Sequence, residues 1–335
     1  MRYGYWMPVF GGWLRNVADE PEASYAYCRD LAQRAEEIGF DLTLIAELYL
    51  NDIKGRGAPT LDAWSLAAAI AAVTERQEIM VAVRPNFHQP GPFAKMATTI
   101  QEIAQGRLSL NVVSSWWAGE AKQFGLQFDE HGDRYARTSE WLDVLHGLWS
   151  QEEFDHDGDL YRLENAALAP KPDKRPIAYA GGESEAAKTL IATKCDAYVM
   201  HGDTPDVIAP KVADMRARRE QAGGPPMSFG MASYAIVRDS EAEAQRELER
   251  ILDVKELPPG YDNFDEWLSG TELERELKIR EYSVSNRGLR PNLVGTPEQL
   301  KQRVADFEGA GVDLLLLQMS PQKEEMERFA AQVIA

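Results

Sequence analysis

The feature that most constrains this chain is an alternation. Eight short apolar runs, each the length of one strand, are separated by segments whose apolar residues recur at helical spacing. In order they are "RYGYWMPV", "LTLIA", "IMVAV", "LSLNVV", "PIAYA", "DAYVM", "SFGMASYAIV" and "DLLLLQ". Strands buried on both faces and separated by amphipathic helices are what a parallel sheet covered by helices requires. Eight such units predict an α/β fold, the (β/α)8 TIM barrel, with residues 1–335 as a single domain.

Local signals place the helices. Ser24 caps a helix carrying Tyr27, Leu31, Ala35 and Ile38, which stops at Gly39. An Ala-rich helix lies near Ala63–Val73, and Pro92 opens one carrying Phe93, Met96, Ile100 and Ile103. Further helices are expected over 185–193, 205–222, 241–252 and 297–310, with a last one from about Lys323. From Ser114 to Gly132 there is no clean period, which predicts a functional loop with one helical turn, followed by a helix from about Arg137 to Trp149. Between Lys255 and Leu293 the alternation fails in a stretch rich in Pro, Gly and Asn, and we expect a lid inserted before the last barrel unit.

Several classes of function are disfavoured. A net charge of −18 with no Lys/Arg stripe repels polyanions, so nucleic acid and anionic membranes are not expected partners. The longest uncharged helical run, "AWSLAAAIAAVT", is too short to span a bilayer. Cys28 and Cys195 lie far apart without CxxC spacing, and the first residues lack a signal peptide's apolar run, so a cytoplasmic location is expected. The five histidines form no HxH or HxxxH pair, so no metal is expected. GxSxG, GxGxxG and P-loop motifs are absent, and any nicotinamide donor must act from outside the recognisable motifs.

In a barrel, chemistry gathers at the C-terminal ends of the strands. Those positions are Trp6, Glu47, His88, Asn111 with Ser114–Trp117, Gly181–Ser184, His201 and Tyr234. "AYAGGES" joins a strand to a helix, where Gly182 brings backbone close and Ser184 opens the helix toward an anion; a plain Gly-rich turn reads the same way. Arg134 and Tyr135 in "DRYAR" are able to join that anion or to be solvated beside a helix start. Trp116 and Trp117 wall a pocket or plug the barrel. His88 and Arg287 are by default a satisfied loop histidine and a solvated charge. Glu47 and Glu120 also have the residue types of a glycosidase's acid and base.

Seven segments in register carry a resemblance: "LDAWSLAAAIAAVT", "VAVRP", "GRLSLNVVSSWW", "EHGDRYARTSEWL", "AGGESEAA", "LVGTPEQL" and "LLLLQMSPQKEEMERFA". In order and spacing the chain resembles the bacterial luciferase-like flavin monooxygenases, and within them the two-component dimethylsulfone and alkanesulfonate enzymes. The resemblance implies reduced FMN (FMNH2) as cofactor, delivered by a separate NAD(P)H:flavin reductase, with O2 as co-substrate, and a homo-oligomer, dimer or tetramer. It implies that Asn111 and Glu120 meet the flavin ring region, that Glu47 and Leu48 line it, and that Arg134, Tyr135, Gly182 and Ser184 hold the phosphate end. Trp6, Trp116 and Trp117 would keep the pocket dry, and His88, Tyr234 and Arg287 would steer protons and substrate.

The departures bear on the substrate. The sulfonate enzymes place an Arg and a His where this chain has Ala232 and Tyr234, and a cysteine where it has Thr60 or Leu61. The closing "QMSPQKEEMERFA" looks most like the dimethylsulfone enzymes, whereas Arg287 matches the sulfonate enzymes' mobile-loop arginine. The expectation is oxygenation of a small neutral organosulfur compound with C–S bond cleavage. The alternatives are an alkanesulfonate monooxygenase, a deazaflavin-dependent hydride-transfer enzyme of the same barrel family, a glycosidase barrel, and a flavin-binding protein without turnover.

Overall fold

The computed structural model describes residues 1–17, 20–253, 259–262 and 281–335. Strands β1 (Arg2–Trp6), β2 (Leu42–Ile45), β3 (Glu78–Val83) and β4 (Leu108–Val112) pair in parallel in that order. After β4 the chain forms a two-stranded hairpin, β5 (Phe154–Asp157) and β6 (Arg162–Ala166), outside the barrel. The ring continues through β7 (Ile177–Ala180), β8 (Ala197–Met200) and β9 (Ser228–Val237), and β10 (Leu293–Gly295) adds to the far end of β9. Finally β11 (Leu314–Gln318) inserts between β9 and β1, and β8 pairs with β9, closing eight parallel strands into the predicted TIM barrel.

The strands sort their side chains between two cores. Leu42, Leu44, Met80, Tyr179, Ala197, Leu314 and Leu316 fill the barrel interior. Residues of opposite parity, such as Tyr5, Ile45, Val81 and Leu315, face the surrounding helices. Gly4 makes room for the inner layer, since a Cβ there would lie 2.9 Å from side-chain carbons of both Leu316 and Leu42.

The helices are α1 (Tyr25–Glu37), α2 (Ala63–Ala71), α3 (Pro90–Ile103), α4 (Ala118–Gln123), α5 (His131–Ser150), α6 (Glu185–Lys194), α7 (Pro205–Gln221), α8 (Glu241–Leu252), α9 (Pro297–Gly309) and α10 (Gln322–Phe329). Ser24, Asp62, Ser184, Ser240 and Thr296 cap their helices through side-chain oxygens, and Thr296 with Gln299 completes a capping box. Two helix starts differ from expectation. α3 begins at Pro90 rather than Pro92. α5 begins at His131 rather than Arg137, because Trp141, Leu142, Leu145 and Leu148 bury its far half while its first turns are polar and periodless. That early start puts Arg134 and Tyr135 on helix rather than loop.

The hairpin was not expected. Its strands are mostly polar and half-exposed, and Phe154 anchors it by packing against α5 at Gly147, where a Cβ would lie 2.1 Å from the Phe154 ring. Of the lid expected over 255–293, residues 255–258 and 263–280 lie outside the described residues; 259–262 and 281–293 form tight turns and β10.

Truncating the inner layer tests this packing. Leu316→Ala is expected to cost about 2–5 kcal/mol of unfolding free energy in urea titrations, as for buried leucines generally. A loss under about 1 kcal/mol would show an interior that collapses around the gap.

Candidate functional site

The rim formed by the C-terminal strand ends encloses a cavity of about 270 Å3. Trp6, Phe10 and Trp13 wall one side, with Trp6 and Phe10 set edge-to-face against Trp13. Leu44, Ala82, Val199 and Ala232 form much of the floor, and Asn111 enters from β4. Apolar walls with a few convergent polar groups are the usual makeup of a small-molecule site.

One end of the cavity gathers groups that could hold an anion. Gly182 has φ 152°, and a Cβ there would lie 2.5 Å from Ala187 Cβ and 3.3 Å from Tyr135 Oη, so only glycine lets the turn lie this close to α6 and α5. Ser184 caps α6, its Oγ accepting from Ala187 N at 3.2 Å, and Tyr198 Oη donates to Gly182 O at 3.0 Å. Gly181, Gly182, Glu183 and Ser184, which lead into α6, all line the cavity, so the N-terminal end of that helix adjoins it. Arg134, on the first turn of α5, donates to Ser115 O and lies 5.0 Å from the Phe128 ring. Burial pulls its guanidinium below the usual range, against the acidic pull of Tyr135, Asp129 and Glu130. Ser115 itself has φ 60°, and its buried Oγ has no hydrogen-bond partner among the described residues. A bound phosphate would satisfy this donor set.

Opposite lies a buried charge cluster. Arg84, at the end of β3, pairs with Glu120 and lies 3.5 Å from Glu47 Oε2, which also accepts from Arg84 N at 2.9 Å. Glu120 accepts from Tyr49 N and Leu50 N, and His88 Nε2 lies 2.6 Å from Glu47 Oε1. Arg84 stacks on Phe87 at 3.8 Å. Two carboxylates thus converge on one guanidinium, whose Nε and Nη2 have no hydrogen-bond partner among the described residues.

A second cluster sits beside the anion turn. Glu183 pairs with Arg287 at 2.7 Å and with Lys211 at 2.8 Å. Burial alone would raise the Glu183 carboxyl, but His201, Arg287 and Lys211 outweigh it and hold it at about 2. His201, also on the cavity wall, is pushed down to about 4 by burial first and by Arg287 second, with Glu183 and the backbone of Asn286 pulling the other way. The imidazole is therefore neutral at neutral pH. Asn286 and Arg287 both have positive φ, 57° and 55°, so the segment is bent sharply where it meets the wall. Across the mouth, Arg15 pairs with Asp52, donates to Gly260 O at 3.0 Å and Ser285 Oγ at 2.9 Å, and lies over the Tyr282 ring at 3.9 Å.

Of the residues singled out from sequence, Trp6, Glu47, Leu48, Asn111, Trp116, Arg134, Tyr135, Gly182 and Ser184 line the cavity together. Glu120 and His88 stand one shell behind, touching Arg84 and Glu47. Trp117 stacks on Trp116 at 5.4 Å and 7°, buried beneath it. Arg287 is not the solvated charge its loop context implies, because its side chain is buried against Glu183. Tyr234 is a correction: β9 runs past the rim there, and the ring packs among Leu14, Ile236, Ala244, Ile251 and Val284, away from the cavity. Sequence reasoning missed Arg84, Arg15 and Asp52, and gave no role to Glu183 within the strand-end stretch Gly181–Ser184. The one available signal was position, since Arg84 follows a strand and Glu183 sits inside the "GGES" turn.

The neutral His201 has a consequence for stability. Its ordinary value of 6.5 is also that of the unfolded chain, which takes up this proton as pH falls through 6.5, whereas the folded protein resists until about 4. Stability is thus full above about 6.5 and declines toward 4. His201→Gln should remove roughly 1–2 kcal/mol of the loss seen on going from pH 7.5 to pH 5, measured by urea unfolding. Equal losses in both proteins would remove this account.

Known proteins were then compared with the chain. The family described as luciferase-like monooxygenase matches residues 1–314. A Pseudomonas fluorescens (strain Pf0-1) protein named FMNH(2)-dependent dimethylsulfone monooxygenase is 31% identical over 352 positions, covering 100% of this chain and 93% of that protein. Its Pseudomonas putida namesake is likewise 31% identical, with 100% and 94% covered. The crystal structure of long-chain alkane monooxygenase (LadA) superposes with a TM-score of 0.85 at 21% identity, over 100% of this chain and 90% of that one, a likeness of fold. Among the described residues no helix is long and apolar enough to cross a membrane, and no cluster of His, Cys, Asp and Glu suited to a metal occurs. With a closed barrel, a rim cavity and this match along nearly its whole length, the chain is an enzyme belonging to the luciferase-like monooxygenase family.

Proposed function

We propose that this protein is an FMNH2-dependent monooxygenase that uses O2 to oxygenate a small neutral organosulfur compound of the dimethylsulfone kind, with cleavage of a C–S bond. Its reduced flavin would come from a separate NAD(P)H:flavin reductase, and the working form would be a homo-oligomer. Relatives of 31% identity named for FMNH2 and dimethylsulfone support the class.

The cavity fits the cofactor. The Gly182–Ser184 turn, Arg134 and Ser115 Oγ make a place for a phosphate, and the apolar floor with Asn111 suits a flat ring system. Reduced flavin, when bound, supplies the two electrons that activate dioxygen. The chain's own residues hold the phosphate, orient the ring edge through Asn111, and exclude water with Trp6, Trp13 and Trp116. His201 contributes a neutral imidazole to the wall, able to accept or donate a hydrogen bond without adding charge.

One observation carries the substrate class. Away from the phosphate turn, the charged groups of the wall are already matched within the protein: Arg15 with Asp52, Arg84 with Glu47 and Glu120, Glu183 with Arg287 and Lys211. A sulfonate would have to share each of these cations with the acid it already faces, and so gains less from them than from an unpaired cation. A sulfone has only acceptor oxygens and asks for hydrogen-bond donors alone.

The test is oxygen uptake by the purified protein with FMN, NADH and a flavin reductase across a panel of sulfones and alkanesulfonates. Stimulation by small sulfones is expected; stimulation by sulfonates alone would replace the neutral-substrate reading, and none by either would end it. In parallel, Arg134→Ala and Ser184→Ala should each weaken reduced-FMN binding roughly 10-fold or more, the worth of a charge-assisted phosphate contact. Unchanged binding in both would remove the phosphate assignment.

A further inference from the structure

We propose that Glu47 and His88 form a proton relay through the wall of the cavity, passing protons between solvent and the reacting groups while the cavity stays dry. The inference rests on the monooxygenase reading above. Incorporating one atom of dioxygen leaves the other to depart as water, whose two electrons and two hydrogens both come with FMNH2; cleavage of the C–S bond of a sulfone then leaves a sulfinic acid, whose proton has to be carried away. A cavity closed against water must pass that proton out by some route other than water itself.

The pair spans the wall. Glu47, at the end of β2, lines the cavity with a side chain only 1% exposed, and its Oε1 lies 2.6 Å from His88 Nε2. His88 is not among the cavity walls, yet its side chain keeps 16% of its surface open. One end of the pair therefore faces the cavity and the other faces outward. An imidazole is suited to this position because it can take a proton on one nitrogen and release one from the other.

Both partners are held in place. Trp141 Nε1 donates to the His88 carbonyl oxygen at 2.9 Å, and the ring sits 5.3 Å from Phe93 and 6.2 Å from Trp64. Glu47 cannot swing away, because its second oxygen takes the Arg84 N–H at 2.9 Å. The charged groups that bear on His88 are Glu47 directly and, through it, Arg84 and Glu120. Two carboxylates, Glu47 and Glu120, face a single guanidinium in that cluster, and the His88 ring is the further partner within reach of Glu47. His88 acts through Glu47 and is not itself a catalytic residue. Were the pair only a brace for the Arg84–His88 loop, its loss would cost stability and leave proton transfer untouched.

The experiment compares wild type, His88→Ala, His88→Gln and Glu47→Gln, each first checked for a cooperative thermal transition. In His88→Ala, turnover near neutral pH should fall roughly 100-fold, while the Kd for reduced FMN and the substrate KM stay within about threefold. Added imidazole should restore turnover in His88→Ala in a concentration-dependent way and should do nothing for His88→Gln, whose side chain fills the gap. In flavin-free protein labelled with 15N-histidine, a far-downfield ring N–H resonance should be lost in His88→Gln and displaced in Glu47→Gln. Turnover within about threefold of wild type in His88→Ala, a loss indifferent to imidazole, or a resonance unmoved by Glu47→Gln would each overturn the relay. Should wild type show no substrate-dependent oxygen uptake, the monooxygenase reading fails by itself. The resonance then still decides the pair, its displacement supporting proton sharing and its constancy refuting it.

Discussion

The pairing of β8 with β9, Ala197 to Ser228 through Met200 to Met231, is the constraint on which the rest of the molecule depends. Without it the eight parallel strands would form an open sheet with two bare edges. With it, all eight C-terminal ends point at one rim, and residues as distant in sequence as Trp6, Asn111 and His201 share one cavity. Closure also creates an interior that has to be filled, and Leu42, Leu44, Leu314 and Leu316 do so around Gly4. The floor of the cavity is the upper surface of that filling, so its apolar character follows from the fold before any ligand is considered.

On that floor the protein has set buried charges that add little net stability, because the desolvation of each ion roughly offsets its attraction to the partner. Their value is geometric. Glu120 ties the Tyr49–Leu50 backbone to Arg84, Arg84 ties β3 to Glu47, and Glu47 reaches His88, so one chain of polar contacts fixes the loops after β2 and β3 together. Around the anion turn, Glu183 does the same for α7 through Lys211 and for the segment before β10 through Arg287. A neutral His201 fits beside them because an added imidazolium would face Arg287 without screening by water.

The eight barrel strands were legible because a strand buried on both faces must be apolar throughout, whatever lies far away in sequence. The turn into α6 was legible for a local reason as well: its glycines and the capping Ser184 mark a tight strand-to-helix turn. What stayed hidden depends on long-range contact. Arg15 reads as an ordinary surface cation until Asp52, 37 residues on, and Ser285, 270 residues on, are brought to it. The β5–β6 hairpin, with strand sequences FDHD and RLENA, has almost no apolar alternation to betray it. Tyr234 misled for the opposite reason, since a long strand looks the same before and after it leaves the rim.

Two pins therefore hold residues 259–262 and 281–292 to opposite sides of the cavity mouth: Arg15 with its carbonyl, hydroxyl and ring partners on one side, Arg287 with Glu183 on the other. Both cations are buried and both are already matched. Loosening either pin exposes an acid inside the wall, so the arrangement is favoured by the cost of its disruption more than by the strength of its contacts. The charge of these two cations is thus committed to holding the mouth in shape.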